Sequence, residues 1–113
     1  MGRWFGGRGK KIYIGEFLNS MSHGQGELRM SSGDRYVGGF ARDRYDRFGI
    51  YYRVDGRTRE GVYTQSQING QGRISFPDGS FMVGYFVENE LEGEVTFTSR
   101  TGETEQRRYR RGT

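Results

Sequence analysis

A shift of 23 residues superimposes the chain on itself without a gap from Tyr13 onward. A fixed period of that length constrains the fold more than any single motif does. Counted from Tyr13, column three reads Gly15, Gly38, Gly61, Gly84, and column five reads Phe17, Phe40, Tyr63, Phe86. Column sixteen is Leu28, Tyr51, Ile74, Phe97, and column twenty-one is Gly33, Gly56, Gly79, Gly102. Two further columns hold in three of four copies: Gly24, Gly70, Gly93 at position twelve and Gly26, Gly49, Gly72 at position fourteen, with Arg47 and Val95 as the exceptions. Six aligned columns go well beyond chance agreement among glycines. The array therefore occupies residues 13–102, in copies of approximately 13–35, 36–58, 59–81 and 82–104.

Strand chemistry accounts for the columns. Positions one, three and five lie on one face of a period-two strand, as in Tyr13, Gly15, Phe17 and in Tyr36, Gly38, Phe40. Positions twelve, fourteen, sixteen and eighteen do the same on a returning strand, giving Gly24, Gly26, Leu28 and Met30 in the first copy. A glycine beneath an aromatic lets the ring lie flat on neighbouring backbone, which offsets glycine's weak strand propensity. On this scheme valine at Gly38 or Gly61 is far more damaging than at Gly39, which points to the other face. Asp55-Gly56 and Asp78-Gly79 are turn dipeptides between copies. The expected fold is all-β: a single elongated, twisted antiparallel sheet of tandem hairpins, about ten strands and roughly 45–50 Å across, without significant helix. Composition agrees, because a hydrophobic fraction of 32% with 20 glycines leaves no material for a thick core, while eight Tyr and eight Phe suit an aromatic-faced sheet.

The run Tyr13-Ile-Gly15-Glu-Phe17, followed by Gly24-Gln-Gly26 and a closing Gly33, resembles the MORN repeat signature of Tyr-x-Gly-x-aromatic, Gly-x-Gly and a final glycine. Residues 13–102 carry the resemblance. Copy three departs from it with Arg59 and Glu60 where Tyr and an aliphatic are usual, and copy four places Met82 for Tyr. Ser20, Asp43, Ser66 and Asn89 stand where the family's early turn has glycine, so its turn conformation is not carried over here. The resemblance implies an extended sheet that can receive a partner peptide, in a protein that tethers cytoskeletal, ciliary or membrane-junction components.

The ends continue the period in part. Phe5 lies 23 residues before Leu28 and Tyr109 lies 23 after Phe86, so residues 1–12 read as a truncated returning half and 103–113 as an outgoing half with an arginine-rich tail. Charge follows the same division. Residues 1–12 hold Arg3, Arg8, Lys10 and Lys11 without an acid, residues 13–102 hold ten bases against twelve acids, and Arg107, Arg108, Arg110 and Arg111 outnumber Glu103 and Glu105. The net +4 belongs to the termini.

Catalytic chemistry finds few candidates. His23 is the single histidine and sits in a loop where the signature carries His-Gly, and cysteine is absent, so neither a catalytic constellation nor a transition-metal site is expected. Glu88, Glu90, Glu92 and Glu94 read as a solvated acidic loop. Gly24-Gln-Gly26 and Gly70-Gln-Gly72 recur with the repeat and lack the Lys-Ser/Thr of a phosphate loop. The expectation is a non-enzyme without cofactor or metal. No apolar run is long enough for a membrane span or an ordinary secretory leader, and Gly6 stands where a myristoylation motif wants Ser or Thr.

Surface is what remains. Tyr13, Phe17, Tyr36, Phe40, Tyr51, Tyr63, Phe76, Phe86 and Phe97 form the expected partner-binding aromatic face. Ile14, Leu18, Val37, Phe48, Ile50 and Tyr52 form a second candidate patch on the opposite face, confined to copies one and two. Arg107, Arg108, Tyr109, Arg110 and Arg111, with Arg8, Lys10 and Lys11, form a candidate clamp for an anion or a partner. The leading expectation is an intracellular protein-binding scaffold or subunit of a multi-component assembly, cytoplasmic, cytoskeletal or ciliary, with an organelle interior as the alternative compartment. Anionic phospholipid, of the phosphoinositide type, is the alternative partner. RNA or ribosome association ranks last, for want of an RNA-binding signature.

Overall fold

The computed structural model describes residues 2–5, there as backbone only, and 11–110. Ten strands follow in chain order: β1 (Gly2–Phe5), β2 (Ile12–Leu18), β3 (Met21–Arg29), β4 (Arg35–Ala41), β5 (Arg44–Tyr52), β6 (Thr58–Thr64), β7 (Gln67–Ser75), β8 (Phe81–Val87), β9 (Glu90–Thr98) and β10 (Thr104–Tyr109). Each pairs antiparallel with its sequence neighbours in one open sheet, and the described residues include no helix. The long axis is 45 Å, as the strand spacing predicts. A flat layer is only about 10 Å thick, so the smallest extent of 24 Å shows a sheet that twists and coils strongly.

Two kinds of turn alternate. Within copies, both central residues are left-handed: Asn19 and Ser20, Arg42 and Asp43, Gln65 and Ser66, Glu88 and Asn89, with φ between 49° and 75°. This is the mirror-image hairpin turn whose twist matches that of the strands. The conformation withheld from the sequence reading is thus adopted in all four copies without glycine. Side chains explain how. Asp43 Oδ1 accepts from Ser22 N at 2.7 Å and Ser22 Oγ at 2.8 Å, Ser66 Oγ accepts from Tyr45 N at 3.1 Å, and Asn89 Oδ1 accepts from Ile68 N at 3.0 Å. The turns of copies two, three and four are thus each stapled to the preceding hairpin. Between copies, Gly33, Gly56, Gly79 and Gly102 close three-residue turns, their amides donating to Met30, Arg53, Phe76 and Ser99 at 2.9–3.0 Å.

A bulge recurs where the outgoing strand passes its glycine, between Gly15 and Phe17, Gly38 and Phe40, Gly61 and Tyr63, and Val83 and Tyr85. Column twelve of the returning strand is left-handed in every copy: Gly24, Arg47, Gly70 and Gly93. Bulges increase twist and bend a strand. Four in register coil the sheet around its ring-bearing face.

Two expectations are corrected here. Phe5 does not extend the column of Leu28, because β1 pairs Phe5 with Ile12 and Trp4 with Tyr13, one residue out of the repeat's register; a slip of one exchanges the two faces. Gly39 is not the tolerant position. It is buried at the bulge, its carbonyl accepts the Tyr36 hydroxyl at 2.9 Å, and a Cβ there would collide with the Asp46 backbone oxygen. At the other end the register holds, with Tyr109 opposite Gly93.

Candidate functional site

The ring-bearing face is partly consumed by its own packing. Tyr13, Tyr36, Phe40, Tyr63, Ile68 and Phe86 form the buried cluster. Tyr36, at 0% exposure, stacks on Tyr45 at 3.9 Å and meets Phe40 and Tyr63 edge-on at 5.1 and 5.3 Å. Below the rings lie the glycines: a Cβ at Gly26 would strike the Tyr13 ring, and one at Gly49 the Tyr36 ring. Burial raises the Tyr36 and Tyr63 hydroxyls well above the usual phenol range and takes Tyr45 to about 12. Five of the nine rings expected to meet a partner, Tyr13, Tyr36, Phe40, Tyr63 and Phe86, are therefore core. Phe17, at 39% exposure, and the half-buried Tyr51, Phe76 and Phe97 are the ones left near the surface.

Column ten completes that core and was not anticipated. Ser22, Tyr45, Ile68 and Leu91 occupy it, on the same face as columns twelve to eighteen. Continuing the period-two alternation one step further back would have found it. Its mixed chemistry concealed it.

Open space remains along the face. One cleft of about 350 Å³ lies between Tyr13, Phe17, Leu28, Phe40, Lys11 and Asp43. Three others, of about 300, 240 and 120 Å³, follow one another across copies two to four, and Arg59 lines all three. Tyr51 borders two of them, its hydroxyl donating to Asp34 Oδ2 at 2.8 Å; burial and that carboxylate both raise its pKa. Arg59 belonged to no group expected from sequence. Its departure from the repeat's Tyr column was the available signal.

The C-terminal arginines are largely engaged by the protein itself. Arg107 lies over the Phe97 ring at 4.1 Å and pairs with Glu105 at 3.3 Å, and Arg108 pairs with Glu94 at 3.6 Å. Tyr109 donates to Met82 Sδ at 3.3 Å and shares a cleft with Arg110. Lys11 lines the first cleft. Arg8, Lys10 and Arg111 lie outside the described residues.

On the opposite face Val37 pairs with Ile50, and Phe48, at 54% exposure, pairs with Val62, at 50%. Leu18 is exposed at a hairpin tip, Ile14 stands across from Glu27, and Tyr52 lies under the Arg35 guanidinium at 4.3 Å. Exposed Val62, Val83 and Tyr85 carry apolar surface into copies three and four. The patch is not confined to copies one and two. Val83 in column two and Val62 and Tyr85 in column four lie on that face by the plain period-two alternation, and the sequence reading overlooked them.

Among the described residues no group of His, Cys, Asp and Glu is placed to hold a metal, and no helix is long and apolar enough to cross a membrane. Fold and surface together define a tandem β-hairpin repeat protein of the binding-module kind. The MORN repeat model matches residues 13–35, 36–56 and 60–81, more than half of the chain, which belongs to that family. No curated protein matches it. The fourth copy lies outside the matched residues yet keeps the same strand register, Gly70 facing Phe86 as Gly24 faces Phe40.

Proposed function

We propose that this chain is a non-enzymatic scaffold or accessory subunit that holds an extended segment of a partner protein against its ring-bearing face, within a cytoskeletal, ciliary or organellar assembly. The observation that carries the reading is the run of clefts left open after the core has closed, bordered by Phe17, Tyr45 and Tyr51 rather than by polar groups alone. Peptide recognition of this kind takes its energy from a few apolar anchors entering preformed hollows. Anionic-lipid binding receives less support, because Arg107 and Arg108 are already paired and Arg110 is not a free charge.

A photoreactive phenylalanine analogue placed at Tyr51 and, separately, at Val62 tests the proposal in cells expressing the whole chain. Cross-linking to one discrete protein from position 51 but not from 62 is expected. Cross-links from 62 alone would move the interface to the other face, and adducts to lipid from either would replace the protein reading.

A further inference from the structure

One row of residues crosses the ring-bearing face, one per strand from β2 to β9: Tyr13, Leu28, Tyr36, Tyr51, Arg59, Ile74, Met82 and Phe97, each paired with the next. Seven are apolar or aromatic. Arg59 alone is charged, near the middle of the row, flanked by Tyr51 and Ile74.

Packing does not require an arginine there. In copies one and two the column-one tyrosine roofs the column-fourteen glycine, Tyr13 over Gly26 and Tyr36 over Gly49. In copy three that roof comes from elsewhere: the Phe86 ring covers Gly72, and Ile68 Cδ1 fills the space above Gly61. Copy four replaces the tyrosine too, but there Met82 is matched by Val95, a fully buried side chain standing where the other copies have glycine. Met82 with Val95 is a compensated exchange that closes the core. The core around Arg59 closes without it.

The guanidinium is accordingly left to the groove. Arg59 is half-buried and makes no ion pair among the described residues, while its carbonyl accepts the Tyr63 hydroxyl at 3.0 Å and so fixes the backbone. A cation partly withdrawn from water on an apolar face is costly unless something anionic meets it, and its attraction for such a group is strengthened by the same surroundings. We propose that Arg59 is the specificity-determining residue of the groove and receives an aspartate or glutamate side chain of an extended partner segment, whose apolar neighbours enter the hollows on either side. This rests on the peptide-binding reading above. A single carboxylate matches the one charge of an otherwise apolar and aromatic row, whereas a multiply charged headgroup would also draw on Arg53, Arg57 and Arg110, which line the adjoining hollows beside Asp34 and Glu90.

The test uses a phage-displayed library of random twelve-residue peptides, panned on the whole chain. Peptides enriched by the wild type should carry an acid at a constant offset from apolar residues. Their affinity should fall about ten- to hundredfold for Arg59→Gln, the loss typical of one charge-assisted contact. Arg59→Tyr restores the repeat's own residue and is expected to fold at least as well, so its equal loss of acid preference separates recognition from stability. Arg59→Glu should select lysine or arginine in place of the acid. Enriched peptides without an acid, or binding unchanged by Arg59→Gln, would overturn the role of Arg59 and leave the groove standing. Failure of any peptide to enrich, beside Arg59-dependent binding to phosphatidylserine or phosphoinositide vesicles, would overturn both readings in favour of a headgroup. Failure of peptides and vesicles alike would also overturn both.

Discussion

Gly49→Ala isolates the contact on which the sheet is built. A Cβ at Gly49 would lie 2.1 Å from the Tyr36 hydroxyl oxygen and 2.4 and 2.6 Å from two atoms of its ring. The ring cannot retreat, because Tyr45 is stacked against it at 3.9 Å and its hydroxyl is held by the Gly39 carbonyl at 2.9 Å. Either the neighbourhood is overpacked, at about 1–3 kcal/mol, or Tyr36 is expelled, with a loss near the about 3–5 kcal/mol of large-to-small core changes. Roughly 3 kcal/mol is the expectation from those ranges. The control is Gly70→Ala, where φ is +88° and no atom lies within 4 Å of the added carbon, so the cost is left-handed strain alone, about 1–2 kcal/mol. Urea unfolding followed by far-ultraviolet circular dichroism reads both. Copy four supplies the rescue: Tyr36→Met with Gly49→Val reproduces Met82 with Val95, and should be at least about 1 kcal/mol less damaging than the sum of its single changes. If Gly49→Ala costs no more than Gly70→Ala, or the pair is additive, rings roofing glycines are not what holds this sheet.

Arg47 is the non-glycine member of column twelve, at φ 66°. Arg47→Gly relieves about 1–2 kcal/mol of left-handed strain and gives back about 0.5–1 as unfolded-state entropy, so a thermal melt should show a gain of up to about 1.5 kcal/mol. Asp43→Ala leaves the amide and hydroxyl of the buried Ser22 without their shared acceptor and should cost about 1–3 kcal/mol, whereas Asp43→Asn, which keeps an oxygen there, should cost much less in the same melts. The hydroxyls of Tyr13, Tyr36, Tyr45, Tyr51 and Tyr63 are all raised, chiefly by burial, with Tyr45 at about 12. The folded chain thus holds those protons more tightly than the unfolded one, and their stabilisation is complete below the unfolded value near 10 and lost as pH rises toward 12. Phenolate absorbance at these positions should appear together with loss of the sheet's circular dichroism; ionisation of all five with the sheet intact would contradict their burial.

The array was legible because translation by an odd number of residues still returns each column to an equivalent hairpin position, so glycine and ring columns reported the faces directly. Strand number and the register of Tyr109 followed from that alone. Other features depended on geometry that no residue type announces. The register shift between Gly38 and Phe40 brings the Asp46 backbone oxygen against Gly39, which is buried there. Column ten was hidden because Ser22, Tyr45, Ile68 and Leu91 fill spaces of different size left by their neighbours. Which rings close the core and which border clefts depends on coiling of the sheet, and coiling comes from four bulges acting together. Likewise Phe5 kept the period in sequence but not in pairing, since a short strand with one neighbour has little to hold its register.

The turns within copies show how so thin a sheet can behave as one unit. Repeat arrays gain stability through contacts between successive copies, and cooperativity is weak where only backbone pairing links them. Here the turn of each later copy reaches back to the hairpin before it, Asp43 to Ser22, Ser66 to Tyr45 and Asn89 to Ile68, always across 21 positions. The backbone reinforces the same three junctions, with the amides of Asp43, Ser66 and Asn89 donating to the carbonyls of Ser22, Tyr45 and Ile68 at 3.0–3.1 Å. Glycine at column eight would relax the turn but remove the side-chain oxygen. Loss of a left-handed preference worth about 1 kcal/mol is offset by a bond that satisfies a buried amide. The residues that make these turns depart from the family's usual glycine are therefore the ones that join copy to copy. The column-ten amides they secure belong to the residues on which the Tyr36 stack and the Ile68 contact with Gly61 depend.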